Sequence, residues 1–135
     1  SLMTCSLMAA AVSCAAPSAG ESSFLTPDDP EPVLGLSTGA LCTSEPLLRY
    51  DNFGLAFMGM YCLSCHSAAF AGSARRAPPD KNFDDLAAIR AHARLLDQQA
   101  GAGPSAVHNA MPPEAPHPSV LERQQLSTWL ACGAP

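Results

Sequence analysis

Apolar side chains in the second half of the chain recur at steps of three and four, and they predict three helices. Phe53, Phe57, Met60 and Tyr61 fall on one face of the first, which Asp51 or Asn52 can cap. Gly54 and Gly59 lower its helix propensity, which predicts another helix crossing close by. Phe83, Leu86, Ile89, Ala93 and Leu96 make the stripe of the second. Asn82 is its expected cap, with Asp84 and Asp85 in the first turn, where the helix dipole favours acids. Gly101, Gly103 and Pro104 end it. His92 lies off the stripe and is expected at the surface. Ser119-Val120-Leu121-Glu122 has the form of a capping box. The third helix it opens carries Leu126, Trp129 and Leu130 and stops at Gly133. This helix is expected to cross the first, burying Trp129 and Leu126 against Phe53, Phe57 and Tyr61.

The first half of the chain lacks this period. Residues 2–16 are small and apolar, too short a run for a membrane span, and read as the apolar core of a signal peptide. A basic segment and an initiating Met are expected upstream of Ser1. Ala11-Val12-Ser13-Cys14 resembles a bacterial lipobox, although Ala11 stands where Leu is more usual. Cys14 would then carry a lipid anchor, and Ala15 after it resembles lipoproteins sorted to the outer membrane. Cleavage near Ala16 to give a soluble product is the alternative. Pro, Ser, Gly and acidic residues dominate from Ala15 to Leu41, a composition that cannot bury enough surface to fold. This stretch reads as a tether of roughly 30 Å as a flexible coil, and about 80 Å if extended. The expected division is a leader at 1–13, a tether at 14–41 and a folded domain at 42–135.

Composition sharpens this division. Of the 135 residues, 13 are Pro and 9 are Gly, so much of the chain is loop. The net charge is −5. Four of the acids, Glu21, Asp28, Asp29 and Glu31, precede the domain, which is nearly neutral. No basic stripe exists for nucleic acid. Cys42 and Cys132 bracket the domain, and in an oxidising compartment they are expected to pair. Two buried free thiols are the alternative.

Cys62-Leu63-Ser64-Cys65-His66 carries the chemistry. Cys-x-x-Cys-His is the attachment sequence of a c-type haem. On a helix, residues three and four apart share a face, so both thiols and the imidazole can meet one porphyrin edge. Cys62 and Cys65 would form thioethers with the haem vinyl groups, and His66 would bind the iron from the proximal side. Half of a zinc site or a thioredoxin-like pair are the alternatives. The chain lacks a second Cys-x-x-Cys and a βαβ pattern. Met58 and Met60 stand too near His66 in sequence to reach the far face, and read as packing. Arg75, Arg76 and Lys81 are candidates to pair with haem propionates, with solvated surface charge as the alternative. Met111 is the candidate second axial ligand, since its loop can wrap the haem edge. Pro112 and Pro113 stiffen that loop. His108 is the competitor, His117 a weaker one, and core packing the alternative role for Met111.

Helix, Cys-x-x-Cys-His, proline-bearing loop, middle helix, Met-Pro loop and final Trp-bearing helix together resemble a bacterial class I cytochrome c over residues 42–135. Trp129-Leu130-Ala131-Cys132-Gly133-Ala134-Pro135 resembles the ending of lipoprotein-type members. The resemblance implies an all-α fold, with three main helices around one haem c per chain. It also implies that Pro78, twelve residues after His66, offers its carbonyl to the proximal imidazole. The lysine ring that mitochondrial members use for docking is absent. The implied function is one-electron transfer with His/Met axial ligation, by an electron carrier or the electron-transfer subunit of an oxidoreductase, with no catalytic residues of its own. The implied setting is periplasmic or otherwise extracytoplasmic, on a bacterial membrane through Cys14, between redox donor and acceptor proteins. A haem protein with an open distal site, acting as a peroxidase or gas sensor, is the rival reading.

Overall fold

A computed structural model of the chain describes residues 30–135. The leader, Cys14 and the first part of the tether lie outside these residues. The fold is all-α: no strand occurs among the described residues, and Ala102 and Val107 form an isolated antiparallel bridge. A π-helical turn, Tyr50–Gly54, runs straight into α1, Leu55–Tyr61. Cys62 breaks the path (φ −118°, ψ −44°), and α2, Leu63–His66, follows. A 3₁₀ turn at Gly72–Ala74 interrupts the next loop. α3, Leu86–Ala91, and α4, Ala93–Ala100, are one helical stretch broken at His92. α5, Val120–Ala131, closes the fold. No helix of the described residues is long and apolar enough to cross a membrane.

The core is the seam of α1, α4 and α5. Leu126, Trp129 and Leu130 are fully buried. Phe53 meets the Trp129 ring edge-on at 5.9 Å, and Tyr50 stacks on it at 6.4 Å. Gly54 is what lets the chains approach: a Cβ there would stand 2.4 Å from Trp129 Cζ2. Gly59 has open space beside it, so only one of the two helix glycines marks a crossing. Met58 is buried, but Met60 is 61% exposed and plays no part in packing. The helix starts also differ from expectation. Asn52 accepts from Arg49 N at 2.7 Å, within the π turn rather than before it. The cap of α3 is Asp85, which accepts from Ala88 N, while Asn82 accepts from the Arg75 guanidinium. Ser119 and Glu122 form a reciprocal capping box. Gly133 follows α5 with φ +80°, a left-handed cap that favours glycine.

Cys42 and Cys132 are joined by a disulfide. The tether ends sooner than its composition implies. Leu36, Thr38 and Ala40 are buried, and Val33 N donates to Ala131 O at 2.8 Å. Asp97, fully buried on α4, is what holds this arm. It accepts from Ser37 Oγ, Thr38 N and Thr38 Oγ1, and from Ser127 Oγ on α5. The folded unit therefore begins by Val33, not at Cys42.

Candidate functional site

Cys62, Cys65 and His66 line one cavity of about 350 Å³, and Met111 lines the same cavity. The first three are placed by short-range helical bonds: Cys62 N donates to Met58 O, and Cys65 N and His66 N both donate to Cys62 O. Phe57 and Tyr61 enter from α1, and Leu95, Leu96 and Ala100 from α4. The surroundings are thus mostly apolar. Cys62 and Cys65 are free thiols, each half-buried. Burial, with a smaller push from Cys65, raises the Cys62 thiol to about 12, so it is uncharged at neutral pH.

His66 is held from two sides. Its ring stacks on Phe83 at 4.7 Å. Its Nδ1 lies 2.8 Å from Lys81 O. A carbonyl can only accept, so Nδ1 carries the proton and the Nε2 lone pair is left to bind. This corrects the expectation for Pro78. Pro78 lines the cavity, but its carbonyl accepts from Lys81 N and from Arg75 Nη2.

Arg75 is also reassigned. Its guanidinium donates to the carbonyls of Ser67, Ala77 and Pro78 and to Asn82 Oδ1. It is a clamp on its own loop, with its donors engaged by that loop's own acceptors. Asp84 ties the same loop by accepting from Ser67 Oγ and Ala68 N. Those bonds, the serine's first, hold its carboxyl below the usual range. Arg76 does line the cavity and forms an exposed ion pair with Glu114 on the Met111 loop. That pair raises the guanidinium and lowers the carboxyl.

The competitors of Met111 sit elsewhere. His108 is outside the cavity lining, with Nε2 3.1 Å from Ser37 Oγ. His117 is exposed and also outside it. His92, expected at the surface, is half-buried, with Nδ1 2.9 Å from Ala88 O and its ring edge-on to Phe83. Among the described residues, no group of three or more His, Cys, Asp or Glu could hold a metal ion. A haem iron asks the protein for only two ligands, one on each face.

Two contributors to the site gave no motif. One is the Lys81 carbonyl. The other is Arg123, only 4% exposed, whose Nη1 donates to the carbonyls of Ala100, His108 and Met111. No protein-family model, curated protein or solved structure matches this chain.

Proposed function

We propose that the chain is a class I c-type cytochrome, a one-electron carrier holding one haem c with His/Met axial ligation. The observation that carries this reading is that Cys62, Cys65, His66 and Met111, scattered over fifty residues of sequence, line a single apolar cavity. The donor set fits the group. Two thiols stand beside an imidazole at the attachment spacing, and a thioether sulfur shares their cavity. When bound, haem supplies an iron that alternates between ferrous and ferric states within an apolar surround.

The chain's own residues do the rest. Cys62 and Cys65 would hold the group as thioethers, which carry no charge, so the burial that disfavours a Cys62 thiolate would not oppose them. His66 offers Nε2, and the Lys81 carbonyl fixes its ring orientation, as an outer partner of a metal-bound histidine does. Met111 offers sulfur, a soft ligand that favours the ferrous state and raises the potential relative to two imidazoles. Phe57, Phe83 and Leu96 give the cavity apolar walls. The disulfide suits an oxidising, extracytoplasmic compartment. In this reading the lipid-bearing residue is Cys14, and redox proteins at the same membrane are the partners. With His66 and Met111 both holding the group, the chain would need no acid, base or nucleophile.

Met111 is 38% exposed, which sustains one rival: an open distal site that binds a gas or peroxide. Optical spectra of protein expressed with the haem-attachment machinery separate the two. A carrier shows a weak red charge-transfer band in the oxidised protein, and Met111→Ala removes it. Free binding of carbon monoxide to unmutated reduced protein contradicts the carrier.

A further inference from the structure

We infer that Arg123 is the positioning residue of the Met111 loop, fixing the backbone that presents the sulfur to the cavity. This rests on the haem reading above and extends it to a residue outside the ligand set. Arg123 occupies the buried face of α5, in step with Leu126, Ser127 and Leu130. A leucine or methionine would fill that face without burying a charge, which is costly unless well hydrogen-bonded. The guanidinium adds a three-way tie. Its Nη1 lies 2.9 Å from Ala100 O, 3.0 Å from His108 O and 2.9 Å from Met111 O. Ala100 ends α4, where unpaired carbonyls concentrate negative charge. One cation therefore joins α5 to the end of α4 and to two points of the loop.

The loop depends on such ties. Met111 N donates to Gln99 O at 2.9 Å and His108 N to Gly101 O at 2.8 Å. With Arg123, both the N–H and the C=O of Met111 and of His108 are engaged. The Met111 side chain is partly exposed, so side-chain packing does little to hold it; its backbone does. A weak thioether ligand that must also wait for an ordered loop is easily displaced. Holding the loop beforehand removes that cost.

Competition by imidazole for the distal position of the oxidised holoprotein reads this directly, followed through loss of the red charge-transfer band. Arg123→Met is expected to lower the imidazole concentration at half-displacement by roughly tenfold. Arg123→Lys, whose ammonium stops one bond short of the point where the three carbonyls converge on Nη1, is expected between that and the unmutated protein, and it carries the test if Arg123→Met does not fold. Leu130→Ala, a core truncation on the same helix, is the control: its melting temperature should fall while its imidazole midpoint stays. An unchanged midpoint in Arg123→Lys and Arg123→Met overturns the inference, and so does an equal shift in Leu130→Ala. A haem-loaded unmutated protein with no red band instead removes Met111 as ligand, and this inference goes with it.

Discussion

The two ends of the molecule are built differently. At one end, α4, α5, the Tyr50–Gly54 turn and the arm that begins by Val33 enclose Asp97, Trp129 and Ser127 completely, and a disulfide joins Cys42 to the end of α5. At the other, Cys62, Cys65 and His66 are half-buried, and Met111 is exposed on an open cavity with apolar walls. The first end spends its polar groups on one another. The second leaves apolar surface, two thiols, an imidazole and a thioether on a shared opening. Stability therefore resides at the closed end, and the room for a bound group is at the open one.

This contrast can be broken by substitutions on either side. The largest effect is expected from the disulfide. Replacing Cys42 and Cys132 by Ser releases a bond across a sequence separation of 90, and chain entropy sets the loss at about 4–5 kcal/mol. Urea unfolding measures it. Asp97→Ala strands the donors of Thr38 and Ser127 in the interior, and should lower stability by about 3 kcal/mol.

Asp97 also makes a pH prediction. Burial pushes its carboxyl up, but bonds from Thr38, Ser127 and Ser37 outweigh that and hold it below the usual value. The unfolded chain therefore takes up the proton first as pH falls. The stabilisation is complete above the unfolded value, about 3.9, and is lost as pH drops through the lower folded value. Asp97→Asn should flatten that part of the acid-unfolding curve. An unaltered curve would place the acid sensitivity elsewhere.

Gly54→Ala should cost about 1–3 kcal/mol through overpacking against Trp129, read as a lower melting temperature. Met111→Leu, at the open end, sharpens the contrast. It conserves volume and should change stability by about 1 kcal/mol or less, yet abolish the red band of the oxidised holoprotein. A large loss of stability there would show that Met111 belongs to the core.

Some of this was legible beforehand. The Ser119–Glu122 box, the stripes around Phe57, Ile89 and Trp129, and the Cys62–His66 motif are local patterns, and a sequence states them directly. The carbonyl that meets His66 is not such a pattern. Lys81 and Pro78 share one loop, every residue has a carbonyl, and only the path of the backbone decides which one arrives. Arg123 and Asp97 did leave a signal. Arg123 keeps helical step with Leu126 and Leu130, and Asp97 with Ala93 and Ala100, so each charge falls on an apolar face and needs partners inside. The arm also left one: Leu36, Thr38 and Ala40 alternate at a period of two, hidden in a segment whose composition reads as a spacer. His92 breaks its helix without proline or glycine, and nothing local announces it.

The central claim is that Cys62 and Cys65 are joined to a porphyrin. Intact mass of the denatured full chain, expressed with the haem-attachment machinery and treated with an alkylating reagent, tests it most directly. The expected result is a red protein whose mass is raised by one haem, with neither Cys62 nor Cys65 alkylated. A colourless protein with both thiols alkylated contradicts it.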